Sequence, residues 1–289
     1  MNEPRRWCAG CVGRLPATAR PLIRFSLGGV PMLGKIPGKP LTGRVAVITG
    51  AFGEVGEAAA EHLAGLGARV AVLDRRADRL DRLVSRIGKN GGTALAIAVD
   101  VTDAAAVRSA AGRVAAELKD ADLLINNTGV MLPVPIEEPV ADRCGRQIDL
   151  NITGLTNVLG AFTPQLVKAA GERGVADLIN ASSIAARDGF PDFAVYSGTK
   201  TYVTRLSHHL RVELGVKNVR VSRLEQGVAE TRPRRHVTGN GAFRWLRGSG
   251  KTTEWLTPQD IAETIGFIAT LPPRATLQRI TITPTRRPV

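Results

Sequence analysis

The fold of this chain is decided by residues 45–56, which read VAVITGAFGEVG. The first five residues form a short apolar run that predicts a buried strand, and Gly50, Gly53 and Gly56 lie in the turn that follows. Glycines between a strand and a helix let backbone N–H groups approach a pyrophosphate at the positive end of the helix dipole. The stretch therefore predicts the first strand, turn and helix of a nucleotide-binding fold.

The same alternation of short β-branched runs and Ala-rich amphipathic stretches continues over nearly the whole chain. Predicted helices include Glu57–Leu66 and Ala104–Leu118. The predicted strands are Val45–Thr49, Arg69–Leu73, Ala94–Val99, Asp122–Asn126, Asp177–Ala181, Asn218–Arg223 and Arg279–Thr283. Because strands and helices alternate, we expect the α/β class, a Rossmann-type doubly wound parallel sheet in a single domain.

Polar residues follow three of these strands directly, at the edge where such a sheet binds its ligand. Asp74 ends the second strand, Asp100-Val101 ends the third, and Asn126-Asn127-Thr128-Gly129 ends the fourth. Asp74 lies twenty-four residues after Gly50, where a carboxylate can accept hydrogen bonds from an adenosine ribose. The other interpretation of Asp74 is a solvated acid in a loop.

Tyr196 and Lys200 stand four residues apart and so share one face of a helix, with Ser183 thirteen positions upstream. A cation about 5 Å from a phenol, at an effective dielectric of ~20, favours phenolate by roughly 3 kcal/mol, or about two pKa units. A Ser hydroxyl at the same carbonyl could steady the oxyanion while Tyr196 transfers the proton. The pair alone also fits a buried aromatic anchor and a solvated charge, but the rest of the chain favours catalysis.

With these motifs in this order, the chain from about Leu41 to Pro284 resembles the short-chain dehydrogenase/reductase superfamily. The resemblance implies NAD(P)-dependent oxidation of an alcohol or reduction of a carbonyl. It implies four catalytic residues, namely Asn151, Ser183, Tyr196 and Lys200. In that resemblance the Tyr donates or accepts the proton, the Ser polarises the substrate oxygen, the Lys lowers the Tyr pKa and holds the nicotinamide ribose, and the Asn anchors a water that relays protons.

The resemblance also implies contacts with the cofactor, from the adenine-contacting Asp100 to Thr231, which matches a residue that touches the nicotinamide carboxamide. The cofactor-binding residues expected are Gly50, Gly53, Val55, Gly56, Asp74, Arg75, Asp100, Val101, Asn127, Gly129, Tyr196, Lys200 and Thr231. Because a carboxylate repels a 2′-phosphate, Asp74 favours NAD. Arg75 and Arg76 could bind that phosphate, so NADP remains an alternative. No metal site is expected.

Two departures from the family pattern concern the cofactor site. Glu54 stands where the middle glycine belongs, and at about 5 Å from a pyrophosphate its repulsion, roughly 3 kcal/mol, would weaken binding on the order of a hundredfold. Either Gly53 takes over the close approach, or Glu54 points to solvent at the helix N-terminus. Gln226 replaces a proline before Gly227, so the backbone there is expected to be less rigid. These departures motivate an alternative, a catalytically weak binding or regulatory protein.

Residues 1–40 are predicted to be a basic, disordered tail, and residues 41–289 an NAD(P)-binding domain with a lid at about 232–255. The net charge of +13 is concentrated before the fold, with eight Lys or Arg and one acid in the first 44 residues. Without an aromatic stacking platform or a recognition-helix motif, we expect no nucleic-acid partner. The tail carries no apolar run long enough for a bilayer, so no integral membrane span is expected. It also resembles a transit peptide or an over-long start preceding Met32.

The remaining expectations concern substrate, assembly and compartment. Met131, Ile184 and Phe190 suggest a small-molecule alcohol or carbonyl substrate with an apolar portion, and the aromatics Phe243 and Trp245 could close over it. Family likeness suggests a homodimer or homotetramer. Three cysteines imply no disulfide framework, so a cytoplasmic location is expected, and the lone Cys-x-x-Cys near the start is a weak metal or redox signal.

Overall fold

The computed structural model describes residues 38–137, 141–227, 229 and 255–286. Nearly all of the predicted tail, Thr231 and all but the last residue of the predicted lid lie outside the described residues. The same is true of Phe243 and Trp245.

Seven strands within the described residues form one parallel sheet, in the order β3-β2-β1-β4-β5-β6-β7. The strands are β1 Val45–Thr49, β2 Arg69–Asp74, β3 Thr93–Ala98, β4 Leu123–Asn126, β5 Ala176–Ser183, β6 Val219–Gln226 and β7 Arg279–Ile282. The order reverses between β1 and β4, where a doubly wound sheet opens a ligand crevice. The prediction of a Rossmann-type α/β fold is confirmed.

Helices cover both faces of this sheet. They are α1 Glu54–Gly65, α2 Ala77–Lys89, α3 Ala104–Leu118, α4 Ala141–Ile148, α5 Leu155–Arg173, α6 Ala194–Gly215 and α7 Pro258–Ala269. A π-helical segment, Asp149–Gly154, joins α4 to α5, and a 3₁₀ turn, Ile184–Ala186, follows β5. None of the helices within the described ranges is long and apolar enough to span a bilayer.

Local capping explains where two of these helices begin. The Asp103 carboxylate accepts hydrogen bonds from the backbone N–H groups of Ala105 and Ala106, which starts α3. Thr257 and Asp260 form a capping box at α7, whose first residue is a proline. These side chains satisfy backbone donors that would otherwise lack partners at a helix start.

Two apolar clusters lie on the two faces of the sheet. In β1, Val45 and Val47 pack with α3, α5 and α6, while Ala46 and Ile48 pack with α1, α2 and α7. Every residue of β1 is buried, as expected for a parallel strand covered on both sides. The rigid sheet therefore holds the loops at its carboxyl edge in fixed positions.

A network of ion pairs ties together the amino ends of four strands. Arg44, just before β1, bonds Asp122 through Nε at 2.9 Å and Asp177 through Nη1 at 2.9 Å. Arg220 of β6 donates to the Asp177 carboxylate from Nε at 2.7 Å and from Nη2 at 2.9 Å. All four side chains are buried, so the charges are paired out of water at the edge opposite to the glycine turn.

β5 and β6 are longer than the sequence predicts. β5 continues from Ala181 to Ser183 and β6 from Arg223 to Gln226, because the two strands stay in register to their ends. Ser183 lies directly across from Gln226 in this register. The extra pairing places Ser183 on the last rigid position of a strand.

Candidate active site

A cavity of about 430 Å³ opens at the carboxyl edge of the sheet. The predicted site residues that line it are Gly50, Gly53, Val55, Asp74, Arg75, Asp100, Val101, Asn127, Gly129, Ser183, Tyr196 and Lys200. Gly56 and Asn151 are not part of its lining, and Thr231 lies outside the described residues. The structure thus brings twelve of the fifteen predicted residues to one cavity.

The glycine turn docks α1 tightly against the end of β1. Gly50 adopts a φ of +65°, in the left-handed region that favours glycine. A Cβ on Gly56 would lie 2.3 Å from the Gly50 carbonyl oxygen and 2.8 Å from Ala51 Cα, so no side chain fits there. Gly56 therefore serves the site through helix packing and not through the cavity wall.

Glu54 is the first residue of α1, with Gly53 as the N-cap. It lies on the cavity lining and is half-buried, so it is not turned wholly to water. A carboxylate in the first helical turn is favourable for the helix dipole.

Asp74, at the end of β2, is held by backbone donors. Its Oδ1 accepts from Arg75 N at 2.7 Å and its Oδ2 from Phe52 N at 3.3 Å. The guanidinium groups of Arg76 and Arg79 lie 5.6 and 5.0 Å from the Phe52 ring centroid, within the range of a cation–π contact. The Asp74 carboxylate and the guanidiniums of Arg76 and Arg79 are therefore both in contact with Phe52, which lines this end of the cavity.

Asp100 closes the same end of the cavity from β3. Its Oδ1 accepts from the backbone N of Thr102 at 2.9 Å and from the Thr102 hydroxyl at 2.7 Å, and Arg75 Nη1 lies 3.6 Å from Oδ2. Burial raises the pKa of Asp100, but these hydrogen bonds and the Arg75 charge lower it overall. Asp100 is thus held in its charged form.

The turn after β4 is bonded to the glycine turn. Thr49 Oγ1 accepts from the backbone N atoms of Asn127 and Thr128 at 3.0 and 3.1 Å. The Asn127 side chain donates in return to the carbonyl oxygens of Thr49 at 3.2 Å and Gly50 at 3.4 Å. These bonds lock the two loops on either side of the crevice to each other.

Asn151 lies in the π-helical segment, a feature often found at functional sites. Its Oδ1 accepts from Val130 N at 2.8 Å, and its Nδ2 donates to Val130 O at 2.9 Å and Thr199 Oγ1 at 3.0 Å. A Cβ on Gly129 would lie 3.3 Å from Asn151 Oδ1 and 3.4 Å from Lys200 Nζ. The glycine therefore leaves both polar groups close to the open cavity.

Lys200 is buried in α6, with 6% of its surface exposed. Its Nζ donates to the carbonyl oxygen of Ala181 in β5 at 2.9 Å and lies 5.9 Å from the Tyr196 ring centroid. Burial lowers the pKa of Lys200 to about 8. The ammonium is thus buried with a neutral hydrogen-bond partner, and burial of a charge without an opposite charge is unfavourable for folding.

Tyr196 does not have the lowered pKa that the four-residue spacing predicts. Burial raises the pKa of Tyr196, and the Ser183 side chain lowers it only in part. The physical reason is that burial dominates, while the Lys200 ammonium donates to Ala181 O and lies 5.9 Å from the centroid of the phenol ring. The Ser183 hydroxyl also accepts from Ala185 N at 3.2 Å.

The part of the cavity lining near Tyr196 is apolar and aromatic. Met131, Ile184 and Phe190 line it, as the sequence predicts. Phe193 also lines it and is buried, with its ring centroid 6.0 Å from those of Phe190 and Tyr196. Sequence reasoning missed Phe193, the N-cap residue of α6, although its position three residues before Tyr196 could have indicated it.

Arg146 is a second lining residue that sequence reasoning missed. It precedes Leu150, another lining residue, by one helical turn, and that spacing was the available signal. Within the described part of the chain, no group of three or more His, Cys, Asp or Glu side chains could hold a metal ion. Cys8 and Cys11 lie outside it.

Comparison with known proteins agrees with this geometry. The model of the short chain dehydrogenase family matches residues 44–240. A sulfoacetaldehyde reductase from Chromohalobacter salexigens is 35% identical over 245 residues, which cover 83% of this chain and 93% of that protein. A glycine betaine reductase from Emericella nidulans is 31% identical over 89% of this chain, which spans only 20% of that protein's length.

Solved structures share the whole fold. A 3-ketoacyl-(acyl-carrier-protein) reductase from Brucella melitensis, complexed with NADH, has a TM-score of 0.75 at 27% identity and covers 84% of this chain and 97% of its own. A serine dehydrogenase complexed with NADP⁺ has a TM-score of 0.74 at 27% identity, over 83% of this chain and 94% of its own. These matches support hydride transfer and not the alternative of a catalytically weak binding protein. The chain belongs to the short-chain dehydrogenase family and is an oxidoreductase that uses a nicotinamide cofactor.

Proposed function

We propose that this enzyme interconverts a small alcohol and the corresponding carbonyl compound, with Tyr196 exchanging the proton. The observation that carries the proposal is that Ser183, Tyr196 and Lys200 line one cavity together with the glycine turn. A substrate oxygen placed between the Ser183 and Tyr196 hydroxyls would receive two hydrogen bonds. Proton transfer and stabilisation of the developing negative charge would then occur at the same substrate oxygen.

The residues present fit a dinucleotide cofactor. Gly129 leaves the Lys200 ammonium and the Asn151 amide facing space that a side chain would fill, and the left-handed Gly50 turn opens onto the same space. When bound, the nicotinamide supplies or accepts the hydride. In carbonyl reduction the Tyr196 phenol would give its proton to the substrate oxygen and become phenolate, and in alcohol oxidation the Tyr196 phenolate would accept the hydroxyl proton.

Three further residues support this exchange in our proposal. Ser183 polarises the substrate oxygen from the rigid end of β5. Lys200 places a positive charge beneath the site, where it stabilises phenolate once a proton has left Tyr196. Asn151 keeps Val130 and Thr199 in place through its three hydrogen bonds and presents Oδ1 beside Lys200 to a relaying water.

We propose NAD as the preferred cofactor, with NADP as the second possibility. The Asp74 carboxylate is aimed by two backbone N–H groups at the end of β2, where it can bond a ribose and repel a 2′-phosphate. Arg75 and Arg76 lie next to it and would attract that phosphate. The solved relatives bind one or the other cofactor, which supports both as candidates.

The substrate in this proposal carries an apolar portion. Met131, Ile184, Phe190 and Phe193 surround the space beside Tyr196, and an alkyl or aromatic group there would gain about 25 cal/mol for each Å² removed from water. The named relatives act on sulfoacetaldehyde and glycine betaine, which are small polar molecules. A substrate with both a reactive carbonyl and an apolar end fits the described walls.

The remaining parts of the proposal concern residues outside the described ranges, and assembly. We propose a basic tail at residues 1–40, a lid at about 232–255, and a contact of Thr231 with the nicotinamide carboxamide. A homodimer or homotetramer in the cytoplasm is proposed from family likeness. Size-exclusion chromatography with light scattering would test the assembly, and a monomer would contradict it.

The test of the proposed function begins with fluorescence titrations of NADH and NADPH at matched ionic strength. We expect micromolar binding, tighter for NADH. A panel of aldehydes and ketones, graded from short polar to aromatic, would then be screened for oxidation of the bound cofactor. Turnover that rises with the apolar portion supports the proposal, whereas binding without turnover of any carbonyl or alcohol would favour the regulatory alternative.

A further inference from the structure

Glu225 is a fully buried carboxylate at the carboxyl end of β6. In the strand register it lies across from Ser182, one residue before Ser183. It does not line the cavity, and none of the chemistry proposed above uses it. It precedes Gln226, which stands where the family commonly has a proline.

Three guanidinium groups surround this carboxylate. Arg223 Nε lies 3.2 Å from Oε1, and Arg279 Nε lies 3.1 Å from Oε2, while Thr281 donates its hydroxyl to Oε2 at 2.9 Å. These three partners belong to β6 and β7. The fourth partner, Arg187, places Nη2 2.9 Å from Oε2 and comes from the turn that follows β5.

Arg187 ends the same short turn that Ser183 begins. The Ser183 hydroxyl accepts from Ala185 N at 3.2 Å, and Arg187 N donates to Ile184 O at 3.0 Å. Thr201 of α6 donates to Ala186 O at 3.1 Å. The turn from Ser183 to Arg187 is thus held at both ends by hydrogen bonds.

We propose that Arg187, anchored by Glu225, is a positioning residue for the Ser183 hydroxyl. The inference rests on the role proposed above for Ser183. The ion pair holds the turn to the β6–β7 edge, beside the backbone where Gln226 has replaced a rigid proline. The Gly227 backbone N there donates to Ile282 O at 2.8 Å, so this edge is itself well held.

Arg279 provides a matched control for Arg187. Both guanidiniums contact the same oxygen, Glu225 Oε2, at 2.9 and 3.1 Å, and their side chains are 42% and 41% exposed. They differ in what they hold, since Arg279 belongs to β7 and is not part of the Ser183 turn. Removal of either leaves Glu225 with two cationic partners, so both variants should fold.

The first experiment needs neither substrate nor cofactor. The chain has two tyrosines, Tyr196 and Tyr202, so ¹³C labelling at the tyrosine Cζ gives two NMR signals that Tyr202→Phe assigns. We expect Arg187→Ala to move the Tyr196 signal in the direction seen in Ser183→Ala, and Arg187→Lys to restore part of the shift. Arg279→Ala should leave the signal in place.

The second experiment measures turnover of whichever carbonyl the screen identifies. We expect Arg187→Ala to lower kcat on the order of tenfold to a hundredfold, because a small displacement of a reacting group has that effect, with an unchanged Kd for NADH. The kcat of Arg279→Ala should stay within about twofold of the wild-type value, because Arg279 lies away from the reacting groups.

Equal effects of the two variants on the Tyr196 signal or on kcat would overturn the proposal. Failure of the wild type to turn over any carbonyl would instead count against the proposed function, since the NMR result does not depend on it.

Discussion

The amino and carboxyl edges of the sheet both hold buried cations, but the partners of these cations differ. At the amino edge Arg44 lies between the carboxylates of Asp122 and Asp177, and although burial alone would lower the pKa of Arg44, these carboxylates raise it. At the carboxyl edge Lys200 donates to the carbonyl oxygen of Ala181, and burial lowers its pKa to about 8. Charges that hold the fold together are paired with opposite charges, whereas the charge placed for chemistry is left with a neutral partner.

The pairing has a physical consequence for each edge. Removing one member of a buried ion pair leaves its partner charged and dry, so the amino edge should be sensitive in stability and indifferent in activity. The side chains of the carboxyl edge that line the cavity, Ser183, Tyr196 and Lys200, should behave in the opposite way, with a large effect on activity and a small one on stability. Each experiment below compares one edge with the other.

The largest effect is expected for Tyr196→Phe at the carboxyl edge. Loss of the transferable proton should lower kcat/KM on the order of 10² to 10⁴-fold, while the Kd for NADH and the melting temperature stay close to those of the wild type. Tyr202→Phe is the control, because the Tyr202 hydroxyl lies 3.2 Å from Thr156 Oγ1 and away from the cavity. Comparable turnover in Tyr196→Phe would remove Tyr196 from the mechanism.

The matching change at the amino edge is Asp177→Asn. It removes the carboxylate shared by Arg44 and Arg220 without changing the shape of the side chain. We expect the free energy of unfolding to fall by about 3 to 5 kcal/mol, measured by urea denaturation, with an unchanged kcat for the folded enzyme.

Asp78→Asn is the control for that variant. Asp78 also contacts several arginines, but its side chain is 52% exposed, so its pairs should contribute less than about 1 kcal/mol. An Asp177→Asn variant that is as stable as Asp78→Asn would show that the buried ion pairs of the amino edge do not stabilise the fold.

The sequence predicts an edge of the sheet well where the residues that form it are close together in the chain. The strand–turn–helix unit at Gly50 and the pair Tyr196 and Lys200 were predictable because the spacing of neighbouring residues determines which face they share. The amino-edge network was not, since Arg44 and Asp122 are 78 residues apart and meet only through the strand order. The contact between Arg187 and Glu225 was likewise not predictable, because the two residues are far apart in sequence.

The Tyr196 pKa shows a different limit of sequence reasoning. The spacing correctly predicts that Tyr196 and Lys200 meet at one site, but the sign of the pKa shift depends on burial and on where the Lys200 ammonium finds its hydrogen bond. That partner, the Ala181 carbonyl, is a backbone atom on a neighbouring strand. A pattern of side chains carries no information about it.

A third prediction concerns the pH dependence of stability. The pKa of Lys200 is about 8 in the folded protein against an ordinary value of 10.5, so the unfolded chain holds this proton more tightly. Between these two pH values the unfolded state binds more protons, and the free energy of unfolding therefore rises with pH across the window. Below pH 8 the whole cost of the buried charge is present.

Lys200→Met should remove this dependence. We expect the variant to be more stable than the wild type at neutral pH by at most about 3 kcal/mol, with the difference shrinking as the pH rises, and to lose turnover. Arg44→Met is the comparison at the amino edge and should lower stability, because it leaves Asp122 and Asp177 without that partner. A Lys200→Met variant that is less stable than the wild type at neutral pH would show that the Lys200 charge stabilises the fold after all.

The smallest effect expected is at Glu54, the one carboxylate that the chain adds to the glycine turn relative to the family pattern. Because Glu54 lines the cavity, Glu54→Gln should tighten NADH binding on the order of tenfold, and Glu54→Gly up to about a hundredfold. Salt should reduce the difference, since it screens the repulsion from the pyrophosphate. Glu57→Gln is the control, as Glu57 lies in the same first turn of α1 but does not line the cavity. If Glu54→Gln and Glu57→Gln bind NADH equally well, the Glu54 carboxylate faces water, and its place in the turn reflects the helix dipole alone.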